Sequence, residues 1–241
     1  KNTGCTAQGV CGKKEDTANL QDLLIYTVKG VAYAAEHGPE TDKKAADFIV
    51  KALFTTITNV NFSNDDIAGL IREGLSLRDE LKDAYNVTGN LTDAVTWQGE
   101  SGEDFAGKAA LVGVLSTEND DIRSLRELLT YGLKGVAAYA DHARILGYED
   151  DSVYDFLIKG MAAALKDLSV DELVGLVLKA GETGVAVMKL LDEANTKTYG
   201  DPESTEVNIG VGNNPAILIS GHDLKDMDEL LKQTAGTGVD V

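Results

Sequence analysis

Leu20-Gln21-Asp22-Leu23-Leu24-Ile25-Tyr26-Thr27-Val28-Lys29-Gly30-Val31-Ala32 is answered 105 residues later by Leu125-Arg126-Glu127-Leu128-Leu129-Thr130-Tyr131-Gly132-Leu133-Lys134-Gly135-Val136-Ala137. Followed on to His37 and His142, ten of 18 paired positions are identical. Self-similarity at a fixed offset marks a repeated structural unit. In the first copy Leu20, Leu23, Leu24, Val28, Val31, Ala32 and Ala35 recur at the spacing of one helical face. That predicts a helix over 17–37, with Thr17 as its N-cap. Gly38-Pro39 stops it, the glycine taking a left-handed cap and the proline refusing to continue.

The neighbouring text repeats as well. Asp47-Phe48-Ile49-Val50-Lys51 echoes Asp155-Phe156-Leu157-Ile158-Lys159, and Asp65–Ile71 echoes Asp171–Val177. Ser169 with Glu172 reads as a capping box, and Ser63 with Asp66 as a looser version of it. Each copy therefore holds three helices, at 17–37, 43–58 and 64–86, then 118–146, 151–166 and 170–194. Three amphipathic helices with short connections make a small bundle. The expected fold is mainly α, with two tandem three-helix bundles (17–86 and 117–198) produced by internal duplication. Residues 1–16 form a cysteine loop ahead of them. Residues 87–116, with the single tryptophan Trp97, read as a linker packed on the bundles, Trp97 being a core anchor.

From Tyr199 the composition changes. Val207–Gly212 and Ala216–Ser220 read as short strands, Asp223–Lys232 as a helix and Val239–Val241 as a further strand. This is the start of a parallel, Rossmann-like α/β domain over 199–241. A sheet begun but not completed leaves an open edge, so the expectation is a piece of a longer protein. Gly210 and Gly212 do not make a dinucleotide fingerprint, because the third glycine and the following helix are misplaced.

The chain is acidic, with a formal charge of −18, which disfavours nucleic acid and anionic membranes as partners. No apolar run approaches the ~20 residues that span a bilayer. No secretory signal opens the sequence, so the reading is cytoplasmic, and the Asn-x-Ser/Thr triplets at Asn61, Asn86 and Asn90 carry little weight. Lys1 rather than methionine comes first, which implies a processed, trimmed or missing start. Cys5 and Cys11 stand in Cys-Thr-Ala-Gln-Gly-Val-Cys. They are unremarkable thiols, a small disulfide loop, or two ligands of a metal or iron–sulfur site that needs more.

The three histidines separate by the repeat. His37 and His142 recur together near the end of the same helix, which favours a structural role for both. The same logic discounts Lys29 and Lys134, and Tyr26 and Tyr131. His222 has no counterpart. It ends the apolar run Ala216-Ile217-Leu218-Ile219-Ser220-Gly221, at the strand end where open α/β sheets collect ligands. It is either a ligand-bearing histidine or one buried and hydrogen-bonded in the sheet. Asp223 reads first as the cap of the helix that follows, and second as a partner orienting the imidazole.

Three stretches carry a family resemblance: Lys1–Lys13 followed by Asn19–Tyr26; Leu191-Asp192-Glu193-Ala194-Asn195-Thr196 with Thr198-Tyr199-Gly200; and Asn208–Gly212 with Ile217–Met227. Together they closely resemble the amino-terminal region of the hybrid cluster proteins, also called prismane proteins or hydroxylamine reductases, over essentially the whole chain. The nickel–iron carbon monoxide dehydrogenases are a weaker match. The resemblance implies two iron–sulfur centres. One is a [4Fe–4S] or [2Fe–2S] cluster on four cysteines, for which Cys5 and Cys11 match the last two positions and the first two would lie upstream of Lys1. The other is a hybrid [4Fe–2O–2S] cluster, whose histidine ligand matches His222 and whose glutamate and cysteine ligands would lie beyond Val241. The implied activity is reduction of a small N–O substrate, hydroxylamine or nitric oxide, with electrons from a redox-protein donor. The alternative is a non-catalytic, acidic helical module for electron transfer or interaction.

Overall fold

The computed structural model describes residues 9–57, 59–221 and 223–241. It is mainly helical. In order come α1 (Glu15–Ala35), α2 (Lys43–Thr55), α3 (Asn64–Ala84), the short α4 (Asp93–Thr96) and α5 (Gly102–Ala109). A 3-10 turn at Val114–Ser116 precedes α6 (Asp120–Ile145), α7 (Asp151–Ala163), α8 (Val170–Tyr199) and α9 (Leu224–Thr234). The six long helices fall where the hydrophobic period places them, although α8 runs on to Tyr199.

The caps differ in part from the sequence reading. Ser63 accepts from the Asp66 amide, and Ser169 with Glu172 closes a full capping box. The N-cap of α1 is Lys14, not Thr17, and no side chain caps it. Glu15 and Asp16 in its first turn complement the exposed amides. Thr17 instead lies buried inside the helix, donating through Oγ1 to Asn64 Oδ1 at 2.8 Å. At the other end Gly38 is not left-handed. The chain unwinds through amide bonds from Glu36, His37 and Gly38 to the carbonyls of Ala32, Ala34 and Ala35. Glycine is needed there for space: a Cβ would stand 2.9 Å from the Tyr85 ring.

The packing runs crosswise. α1 lies on α3 and α6 on α8, but α2 also lies on α6 and α7 on α1. One apolar core results, reaching from Leu24, Ile49 and Ile71 to Leu133, Leu157 and Val187. Helix α8 joins it through Ala180 and Val187, with Leu176 and Val177 packed against it. Lys166, just after α7, forms an ion pair at 2.7 Å with Glu36 at the end of α1.

The stretch 87–116 contains α4 and α5 rather than only connecting chain, and both pack on α1. Arg78 on α3, with no exposed surface, holds it in place. Its Nη1 donates to the carbonyls of Ala94 (3.2 Å) and Trp97 (2.7 Å), and Asp79 accepts from Nε and Nη2. Trp97 is part-buried against the core and tilted on Phe105. This cover breaks the equivalence of the two repeated helices. Leu23 on α1 is 0% exposed, while its repeat mate Leu128 on α6 is 54% exposed.

Between α8 and α9, residues 200–221 form no helix or named strand and are exposed. The strands expected at 207–212, 216–220 and 239–241 are not formed among the described residues. One parallel bridge joins Ala216 and Asp240, through the Ile217 amide to the Asp240 carbonyl and the Asp240 amide to the Pro215 carbonyl. The physical reason is burial: Leu218 is 99% exposed, and among the described residues no further strand or helix covers the run to offset the cost of ordering it.

The repeat mates Gly30 and Gly135 test this asymmetry. A Cβ at Gly30 would meet the Ala94 carbonyl oxygen at 2.3 Å, whereas a Cβ at Gly135 meets nothing within 4 Å. Gly30→Ala is expected to lower stability by about 1–3 kcal/mol. Gly135→Ala is expected to raise it by about 0.5–1 kcal/mol, the helix preference of alanine. Denaturant midpoints of the two variants check the opposite signs.

Candidate metal-cluster sites

Of the three residues singled out as ligands, only Cys11 is among the described residues; Cys5 and His222 lie outside them. The Cys11 thiol is exposed and unbonded. Its loop closes on itself, the Gly9 amide donating to the Lys13 carbonyl at 2.7 Å and the Gly12 amide to the Gly9 carbonyl at 2.9 Å. The sulfur sits so close over Gly9 that a Cβ there would stand 2.9 Å from Sγ. Gly12 has φ +92°, the left-handed region that favours glycine. This is a tight loop presenting an exposed thiol, and that presentation fits one ligand of an iron–sulfur cluster. The chain has two cysteines, half the number of thiolates such a cluster usually takes. Among the described residues no group of three or more His, Cys, Asp or Glu is placed to hold a metal.

The loop is tied to the helices by Lys13. Its Nζ donates to Gln21 Oε1 at 2.8 Å and lies over the Phe62 ring, while Gln21 donates on to the Asn61 carbonyl. Behind it stand the repeat-mate lysines, Lys29 and Lys134. Both are part-buried, and burial makes both less basic than an ordinary lysine. For Lys29, Glu127 and Asp22 oppose the effect and Arg126 adds to it. Lys134 also feels Lys13, and lies 3.4 Å from the Thr56 carbonyl. A cavity of about 440 Å³ opens beside Asp22, Lys29, Arg126 and Glu127. On its wall Asp93 binds both Lys108 and the Tyr26 hydroxyl, and its carboxyl is held below the usual range, Lys108 having the larger effect.

At the other end of the chain, Asp223 is the N-cap of α9. Its Oδ1 accepts from the amides of Lys225 (2.9 Å) and Asp226 (3.1 Å), as the cap reading requires. Its second oxygen lies 3.4 Å from His142 Nδ1. The ring of His142 is set edge-on to Phe54, with centroids 5.6 Å apart. Both line an apolar cavity of about 590 Å³ with Ile57, Leu146 and Leu191, and Asp223 stands at its side. His37, the repeat mate, is exposed and turns its Nδ1 back to the Tyr33 carbonyl at 2.8 Å. The contact of His142 with Asp223 escapes sequence reasoning, because the repeat gives the two histidines the same text.

These features define a mainly helical protein with a cysteine-bearing loop before its first helix and an aspartate cap, Asp223, at the start of its last. The whole chain, residues 1–241, matches the family model described as Prismane/CO dehydrogenase family, and the protein belongs to that family. It is 59% identical to a hydroxylamine reductase of Desulfitobacterium hafniense, over 100% of this chain and 46% of that protein. It is 58% identical to one from Clostridium novyi, over 99% of this chain and 45% of the relative. With one from Nitratidesulfovibrio vulgaris the identity is 55%, over 100% and 46%. The chain thus spans somewhat less than half the length of the curated relatives it matches. No helix among the described residues is long and apolar enough to cross a membrane.

The desolvation of Lys29 has a consequence for pH. A lysine less basic in the folded than in the unfolded chain binds fewer protons when folded, so its contribution to stability rises with pH up to the ordinary value of 10.5. Lys29→Met removes that liability. The variant is expected to be more stable than the parent at neutral pH, the advantage shrinking as pH climbs toward 10.5. Thermal unfolding of both proteins from pH 7 to pH 10 measures it.

Proposed function

We propose that this chain is the amino-terminal part of a hydroxylamine reductase of the hybrid cluster type. The observation that carries the reading is identity of 55–59% to proteins of that name along the entire chain. The reaction is NH2OH + 2e− + 2H+ → NH3 + H2O, with nitric oxide as the other small N–O substrate. A hybrid [4Fe–2O–2S] cluster supplies the redox equivalents and the Lewis acidity when bound.

The chain's own residues hold and orient. Cys5 and Cys11 are two thiolate ligands of the relay cluster, [4Fe–4S] or [2Fe–2S], and the Gly9–Gly12 loop shapes the backbone around Cys11. Lys13, fastened to Gln21, places a cation beside that loop, which favours electron acceptance by a thiolate-bound cluster. His222 is the histidine ligand of the hybrid cluster, neutral imidazole being a good iron ligand. Residues 17–86 and 117–198 are duplicated three-helix units joined by 87–116, and 199–241 opens a Rossmann-like domain. The crosswise pairing of α1 with α7 and α2 with α6 supports the duplication, since exchange of the two copies maps one contact onto the other. The parallel bridge on either side of α9 supports the α/β opening. The electron donor is a redox protein, and the protein works in the cytoplasm. The name carried by the relatives favours this enzyme over a non-catalytic helical module.

In a protein completed to the length of its relatives, His222→Ala is expected to abolish hydroxylamine reduction and the hybrid-cluster resonance. The signal of the cysteine-bound cluster should remain. Electron paramagnetic resonance with iron counting reads both. Turnover that survives the substitution would sink the ligand assignment, and a metal-free wild type would sink the enzyme reading.

A further inference from the structure

We propose that His142 is a positioning residue for the segment that carries His222, a role that rests on the reading of His222 as a cluster ligand. The argument begins with the two copies. A histidine required by the helical repeat alone makes the same contact in both. His37 bonds to a carbonyl within its own helix, at Tyr33. His142 instead reaches out of α6, and its Nδ1 stands 3.4 Å from Asp223 Oδ2. The ring is held for that contact by the edge-on packing of Phe54 from α2.

Asp223 is the residue after His222, and its two oxygens do different work. Oδ1 binds the first free amides of α9, fixing where that helix starts. Oδ2 faces His142. Helix α9 has no buried residue of its own, so apolar packing does little to fix it. A side chain on the rigid α6 therefore registers the cap of α9 against the helical core, and with it the backbone next to His222. Metal ligands set by such outside contacts keep their orientation, and loss of the contact costs metal affinity.

The test uses the protein completed to the length of its relatives, with the variants His142→Ala, His142→Asn, His37→Ala and His222→Ala. The hybrid-cluster resonance is measured relative to that of the cysteine-bound cluster, with amide exchange at Lys225 and Asp226. His142→Ala is expected to lower the resonance ratio at least about tenfold, in the range of such supporting contacts, and to speed exchange at both amides. Asparagine keeps a donor near the Nδ1 position, so His142→Asn retains most of both readouts, and His37→Ala changes neither. An unchanged ratio in His142→Ala overturns the proposal. So does a lost ratio with unchanged exchange, because the effect then bypasses the cap. Should His142→Ala fail to fold, His142→Asn decides, a preserved ratio supporting the role and a lost one overturning it. A hybrid signal that survives in His222→Ala overturns the ligand reading and this inference with it. A signal lost in His222→Ala but intact in His142→Ala overturns the positioning role alone.

Discussion

The structure depends on the burial of α1 from both sides of the repeat. Its own copy covers it with α2 and α3, the second copy covers it with α7, and the intervening stretch adds α4 and α5. Thr17, Gln21, Leu23, Leu24, Thr27, Val28, Gly30, Val31, Ala32, Ala34 and Ala35 are all buried, far more than the one stripe of a surface helix. The close approaches work because the residues are small. Gly30 admits the Ala94 carbonyl, and Arg78 satisfies that oxygen from the other side. Removing the guanidinium would take the donor from the buried Ala94 carbonyl, a loss that is costly in the interior. The cysteine loop inherits its footing from this arrangement, because Lys13 bonds to Gln21 on the same helix.

Most of the helical framework could be read from sequence because its signals are local. The apolar spacing of 20–35 and 125–140, and the caps at Ser63 and Ser169, act within a turn or two of chain. What the sequence hid was non-local. Thr17 looks like a cap, but a bond to Asn64, far along the chain, takes it into the interior. Gly38 looks like a left-handed stop, yet its reason is the ring of Tyr85. The stretch 87–116 has the composition of a linker, and its helices form because α1 offers them a surface. The run 216–220 has the composition of a strand, and pairs at one residue because a strand needs neighbours to bury it.

The candidate sites divide along the same line. Family text at Cys5, Cys11 and His222 was visible at once, being a pattern of residue identities. The surroundings of those residues were not. That Lys13 leans on Gln21, or that Lys134 shares its surroundings with Lys13 and Asp22, follows from the meeting of segments far apart in sequence. The two histidines of the repeat show the limit most sharply. Similar text leaves His37 bonded back onto its own helix and His142 facing Asp223 at the cap of another element, a difference set by where α9 lies.

The crosswise packing also bears on how the polypeptide is made. Glu36 at the end of α1 and Lys166 just after α7 form one ion pair although 130 residues separate them. At a synthesis rate of about 5–20 residues per second, α1 waits on the order of ten seconds for its second cover. During that interval the α7-facing side of a mostly apolar helix is open to the cell. The nascent chain therefore has an exposed period set by topology rather than by stability.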